Sequence, residues 1–223
     1  ERLNQWVQLA RDYHCSLILD EFYSHYIYNE DEQIGKTVSA AEFVEEVDKD
    51  PIIIVDGLTK NWRYPGWRIS WTLAPKEVIQ VISSAGSFLD GGANNPLQFE
   101  AAKLISTSQI HKEASALQKC FKQKRDYMLE RLNGMGITVE AIPQGAFYVW
   151  ANLSQLPTPL NDGMAFFEAG LKEKVITVPG IFFDVNPEKR RASARYSQYC
   201  RISFGPDMAS IKQGLDAIEA VIK

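Results

Sequence analysis

Cysteine is scarce: Cys15, Cys120 and Cys200 are the only three in 223 residues, odd in number and far apart, with no C-x-x-C pair. That pattern argues against a disulfide framework or a zinc ribbon and makes a reducing compartment, the cytoplasm, the expectation. The three histidines, His14, His25 and His111, lack metal-ligand spacing, so no metal site is expected. No apolar run approaches bilayer-spanning length and no secretory leader pattern opens the chain, so no membrane partner is expected. An excess of positive charge is missing too. Twenty-four Lys and Arg against 28 Asp and Glu leave a net charge of −4, with no electrostatic footprint for nucleic acid. Gly91-Gly92 is not a G-x-G-x-x-G fingerprint and reads as a turn. Neither an internal repeat nor a low-complexity tract is visible.

What remains is an ordinary globular composition, 45% hydrophobic and 11% aromatic, long enough to bury a substantial core. An amphipathic helix over 1–14 precedes a short apolar strand, Ser16-Leu17-Ile18-Leu19, closed by Asp20-Glu21-Phe22-Tyr23. A capping-box start at Ser39 predicts a helix over 40–48. Four β-branched residues, Ile52 to Val55, then run into Asp56-Gly57, a buried strand ending in a loop. A strand over 69–74 and helices from Pro75 and Pro96 follow. A long helix over 109–133 carries Ile110, Ala114, Leu117, Phe121, Met128 and Leu132 on one stripe. Two apolar segments flanking Pro143-Gln144-Gly145 predict a β-hairpin, followed by a helix, two strands and a final helix over 206–222. The expected fold is therefore α/β. Residues 1–110 have the rhythm of a mostly parallel sheet, and residues 111–223 form a smaller α+β domain.

Chemistry concentrates at the strand ends. The loop after Val55 holds Lys60, Arg63 and Arg68 among Trp62 and Trp67, a cation-and-indole setting suited to a planar anion. A lysine in such a place is also the residue type that forms Schiff bases. In an open α/β sheet ligands bind beyond the carboxyl ends of the strands, so Asp20 and Lys60 can share one crevice. Arg201 lies in a later strand pattern.

Three motifs in order resemble the fold-type I, class I/II aminotransferases, enzymes that use pyridoxal 5′-phosphate. They are Asp20-Glu21-Phe22-Tyr23; Thr59-Lys60 with Pro65-Gly66-Trp67-Arg68; and Arg201-Ile202-Ser203-Phe204-Gly205. Arg68 follows Lys60 by eight residues, as in the family pattern, and Pro143 to Tyr148 resembles the family's small-domain hairpin. The resemblance implies that Lys60 holds the cofactor covalently and later moves a proton between the substrate Cα and the cofactor's C4′. It implies that Asp20 pairs with the pyridinium nitrogen, Tyr23 with the 3′-oxygen, Arg68 with the phosphate and Arg201 with the substrate α-carboxylate. The implied reaction moves an amino group between an amino acid and a 2-oxo acid, in a homodimer. A lyase or synthase acting on an amino acid, and a catalytically incomplete fragment, are the rival readings.

The chain departs from the family at Gly57, where a phosphate-contacting Ser is common. The family's glycine-rich phosphate turn, its ring-stacking aromatic and its N-P-x-x-P-x-G loop have no counterpart in the 223 residues. The expectation is the C-terminal part of a subunit: the end of the cofactor-binding large domain plus the small domain.

Overall fold

The computed structural model describes residues 2–28 and 34–223, with the backbone alone for Pro187. It divides into two compact units, Glu1–Gln118 and Lys119–Lys223, and the division falls within one long helix, α4 (Thr107–Gly134).

The first unit is built on a three-stranded sheet of order β1-β2-β3, formed by Leu17–Asp20, Ile52–Gly57 and Ser70–Leu73. Strand β1 runs parallel to β2, with Leu17 opposite Ile52 and Asp20 opposite Val55. Strand β3 returns antiparallel, with Gly57 opposite Ser70. Helices α1 (Arg2–Asp12), α2 (Lys76–Leu89) and α3 (Asn95–Leu104) complete it with the start of α4. Alternate residues of β2 carry the packing: Ile52 and Ile54 join Val7 and Ala10 of α1, with Leu17 and Leu19 against them. Arg11 fastens the turn before β2, its Nε and Nη2 donating to the two Asp50 carboxylate oxygens at 2.8 and 2.7 Å. That hydrogen-bonded guanidinium holds the Asp50 carboxyl well down, at about 2.

The helix expected over 40–48 is a single 3₁₀ turn, Ala40–Phe43, in which Ser39 Oγ accepts from the Ala41 N–H. Val44 leaves the turn in extended conformation, and the Glu45 N–H donates to Asp50 at 2.7 Å instead of continuing a helical ladder. A competing side-chain acceptor has ended the helix early.

The second unit has an antiparallel sheet of order β4-β6-β5, from Tyr148–Asn152, Tyr199–Ser203 and Val178–Pro179. Helices α5 (Gly163–Lys172) and α6 (Met208–Ile222) start at Asp162 and Asp207, whose carboxylates accept from two N–H groups each. Val149, Ala151, Cys200 and Ile202 fill the buried face of β4 and β6. Burial raises the Cys200 thiol to about 12 and leaves it an inert core side chain.

The predicted hairpin is replaced by a different pairing. Of the predicted ladder between the two arms, the bridge Thr138 to Asn152 is what forms among the described residues, and β4 finds its partner in β6. Pro143 offers no donor for a ladder, and Ala146 has φ 59°, which breaks the extended run before Tyr148.

On α4 the expected stripe holds: Ala114, Leu117, Phe121, Met128 and Leu132 are buried, with Ile110 half-buried. Two cations lie buried on the same helix. Lys124 Nζ donates to Pro206 O at 2.6 Å, and Arg125 Nη1 donates to Pro143 O at 2.9 Å. Both charged heads solvate loop carbonyls that no strand or helix ladder satisfies.

Candidate functional site

Strands β1 and β2 are parallel and in register, so they reach their carboxyl ends side by side. Asp20 is the last residue of β1, and β2 ends at Gly57, three residues before Lys60. Asp20 is exposed; its Oδ1 accepts from the Phe22 N–H at 3.2 Å, and it forms no ion pair among the described residues. Tyr23 is half-buried in the turn that follows. Lys60 is half-buried in the turn after β2, where its carbonyl accepts from the Tyr26 hydroxyl at 3.1 Å. Arg68 ends the 3₁₀ turn Pro65–Trp67 in left-handed conformation (φ 54°, ψ 42°). Its Nη1 donates to Pro65 O at 3.0 Å, and its exposed guanidinium has no acidic partner among the described residues. The four residues singled out in the first unit therefore lie at or just beyond one edge of the sheet, where two parallel strands end and β3 begins.

The sequence did not reveal what holds those loops together. Asn61 is fully buried; its Nδ2 lies 3.2 Å from Glu21 O, 3.0 Å from Ser24 Oγ and 3.0 Å from Asp56 Oδ1. Its Oδ1 accepts from the His25 N–H at 3.0 Å. His25 is buried against the Trp62 ring, 4.7 Å between centroids, with Nδ1 3.3 Å from Asn61 O. Burial lowers the His25 imidazole to about 4, so it is neutral at pH 7. Asp56 is shifted the other way. Burial raises its carboxyl to about 6, against the Gly57 and Asn61 donors that favour the ionised form, with Glu21 and Asp20 adding to the rise.

Gly57 has a steric reason. A Cβ built there would meet Ile69 O at 2.7 Å, the Ser70 Cα at 2.8 Å and the Phe22 ring at 2.9 Å. The backbone of β3 and an aromatic ring occupy the volume that a serine side chain would need.

In the second unit, Arg201 lies in the middle of β6, opposite Trp150 on one side and Val178 on the other. Its Cζ is 4.3 Å from the Tyr148 ring centroid and 4.8 Å from that of Phe183. Trp150 extends the aromatic cluster, stacked on Tyr199 at 5.6 Å and edge-on to Phe183 and Tyr196. No carboxylate pairs with Arg201 among the described residues. A guanidinium over rings gains about 0.5–2 kcal/mol and keeps its in-plane N–H groups for a ligand. Three other arginines are engaged with acids. Arg63 pairs with Glu113, Arg190 with Glu188, and Arg191 forks onto both Asp184 oxygens at 2.6 and 3.0 Å.

Two outcomes are expected. Gly57→Ser forces β2 and β3 apart and lowers the denaturation midpoint, at a cost of about 1–3 kcal/mol; an unchanged midpoint would show that the strands yield freely. For Asp56 the folded carboxyl (about 6) lies above its ordinary 3.8, so the folded state binds the proton more tightly. Its contribution to stability is then full below pH 3.8 and lost as pH rises through 6. Asp56→Asn keeps an acceptor for Gly57 N–H and removes the buried charge. Urea titrations across pH 4–8 should find this variant more stable than the parent above pH 7, with the advantage shrinking below pH 6.

Comparison with known proteins finds relatives along nearly the whole chain. Residues 2–218 fit the family described as aminotransferase class I and II. A (5-formylfuran-3-yl)methyl phosphate transaminase from Methanocaldococcus jannaschii is 30% identical over 204 residues, 91% of this chain and 49% of that protein. An aspartate aminotransferase from Pyrococcus horikoshii is 26% identical over 220 residues, 96% of this chain and 50% of that protein. An aromatic aminotransferase structure from Pyrococcus horikoshii superposes with a TM-score of 0.80 at 24% identity, a likeness of fold, covering 98% of this chain and 54% of that one. The chain thus spans about half the length of the relatives it matches. With a match running through nearly all of its residues, the chain belongs to the class I and II aminotransferase family.

Proposed function

We propose that this chain supplies the lysine-bearing part of a pyridoxal 5′-phosphate-dependent aminotransferase, which moves an amino group between an amino acid and a 2-oxo acid. The observation that carries the reading is that parallel β1 and β2 end on the same side of the sheet, Asp20 closing β1 opposite Val55 and β2 running on through Gly57 into the Lys60 loop. Enzymes of this family use pyridoxal 5′-phosphate. The donor set fits that group: Asp20 and Arg68 each have a charge unmatched by an ion pair among the described residues, one suited to a protonated ring nitrogen and one to phosphate oxygens.

In this reading the bound cofactor supplies an electron sink for the pair left on Cα when its proton departs. Lys60 provides the amine for covalent attachment and, once released, the base that takes the Cα proton. The Asp20 carboxylate keeps a proton on the ring nitrogen. Tyr23 hydrogen-bonds the 3′-oxygen, and Arg68 grips the phosphate. Arg201 binds the substrate α-carboxylate by its two-pronged edge, its plane steadied by Tyr148 and Phe183.

A homodimer in the cytoplasm completes the reading. Exposed Val81, Phe88, Leu89 and Phe99 in the first unit suit further protein packing, and three free cysteines suit a reducing compartment. No helix among the described residues is long and apolar enough to cross a membrane. Sedimentation at a single subunit mass would contradict the dimer.

The test uses the full-length protein mixed with pyridoxal 5′-phosphate. A visible absorbance band is expected, absent in Lys60→Ala and bleached by an amino donor with stoichiometric release of its 2-oxo acid. A band indifferent to Lys60→Ala would refute the assignment, and loss of the donor without its 2-oxo acid would mark a lyase instead. Arg201→Ala should raise KM about 10- to 150-fold, the equivalent of the 1.5–3 kcal/mol carried by a charged hydrogen bond.

A further inference from the structure

Tyr23 and Lys60, both assigned to the cofactor, lie on two separate loops, and no strand pairing reaches between those loops. Residues 21–26 leave β1 and residues 58–62 leave β2. What joins them is a small buried hydrogen-bond network centred on Asn61. Its amide nitrogen faces the Glu21 carbonyl, Ser24 Oγ and Asp56 Oδ1, and its amide oxygen accepts the His25 N–H. Glu21 and Ser24 bracket Tyr23, and Asn61 adjoins Lys60 in sequence. Two further bonds cross the same gap: the Tyr26 hydroxyl donates to Lys60 O, and His25 Nδ1 meets Asn61 O.

Asparagine suits this position by its chemistry. One short planar group must donate two protons and accept one where water has no access. Aspartate would lose both donors and set a second carboxylate against Asp56. Alanine would leave the His25 N–H without its acceptor, a buried donor whose loss of partner is costly.

We propose that Asn61 is a positioning residue of the site, clamping the loop of Tyr23 to the loop of Lys60 and so fixing the aim of the Lys60 amine. The inference rests on the reading that Lys60 carries the cofactor. Small errors of aim at a reacting amine cost rate more than affinity, so the clamp acts on kcat and on the cofactor's electronic environment.

The experiment compares full-length wild type, Asn61→Ala, Asn61→Asp and the swapped pair Asp56→Asn/Asn61→Asp. Ser24→Ala is included as a milder variant that removes a single acceptor. With pyridoxal 5′-phosphate bound, Asn61→Ala and Asn61→Asp should shift the pH midpoint of the visible band and lower kcat on the order of tenfold or more, with KM little changed. Ser24→Ala should do the same at smaller amplitude. The swapped pair restores a donor and an acceptor between positions 56 and 61 and should recover part of both effects. In the cofactor-free protein, Asn61→Ala should speed amide exchange at His25, whose N–H loses its acceptor. If the folded variants lose stability alone, with the band's pH midpoint and kcat as in wild type, Asn61 is merely structural and the proposal falls. Should the Asn61 variants not fold, Ser24→Ala alone decides by the same criterion. A wild-type protein that forms no Lys60-dependent band defeats the functional reading itself. The His25 exchange result then still reports on whether the clamp exists.

Discussion

Parallel pairing in register makes two chain segments exhaust their backbone partners at the same end of a sheet. Residues leaving such a pair can converge on a ligand without long loops, and β1 and β2 use that geometry. Asp20 ends one strand and Asp56-Gly57 the other, so the acidic side chain and the lysine-bearing turn start from neighbouring points. The apolar contacts of Ile52 and Ile54 with α1, and the Arg11 fork on Asp50, fix where β2 begins and therefore where it ends. Antiparallel β3 closes the other side and brings Arg68 back to the same edge. The placement of four candidate residues thus follows from backbone pairing and core packing, with no special chemistry required to bring them near one another.

In the second unit the same economy appears in another form. The strands alternate, sending Val149, Ala151, Cys200 and Ile202 to the core and Trp150, Tyr199 and Arg201 to the opposite face. A guanidinium on that face could have been neutralised by an acid, as Arg191 is by Asp184. Arg201 has rings beside it instead, which orient the plane while leaving its charge uncompensated. Lys124 and Arg125 on α4 meanwhile bond the Pro206 and Pro143 carbonyls, stiffening the segments that follow β6 and precede β4.

Patterns that repeat along the chain were legible in the sequence. The β-branched run of β2, the αβ rhythm before it and the apolar stripe of α4 all announce themselves by period, because burial is imposed at every second or every third to fourth residue. The spaced motifs around Asp20, Lys60 and Arg201 carried the family, which the comparisons bear out. Features decided by which partner a group meets in the fold were not legible. The helix expected after Ser39 stops because Asp50 competes for the Glu45 N–H, and the hairpin around Pro143 gives way because β6 offers β4 a full ladder. Nor could polarity alone mark Asn61, Lys124 or Arg125 as buried. A polar residue joins a core only where the fold supplies its partners, and those lie 5 to 40 residues away for Asn61 and up to 82 for Lys124.

Gly57 and Asn61 are two sides of one constraint. The close approach of β3 and Phe22 excludes any side chain at position 57, so the turn cannot anchor itself there through a hydroxyl. Without such an anchor, the turn that carries Lys60 would be held by its backbone alone, and loops so held open most readily. The chain places the missing hydrogen bonds four residues later, at the one side chain of the turn that is both amide and fully buried. Asn61 bonds back to Asp56, immediately before the glycine, and across to Glu21, Ser24 and His25. Asn61 is fully buried, and a hydrogen bond shielded from water is electrostatically stronger. A tightly packed strand end and a polar network behind it therefore act on the same turn, the one leaving no room for a side chain at 57 and the other bonding from position 61 to Asp56 and across to Glu21, Ser24 and His25.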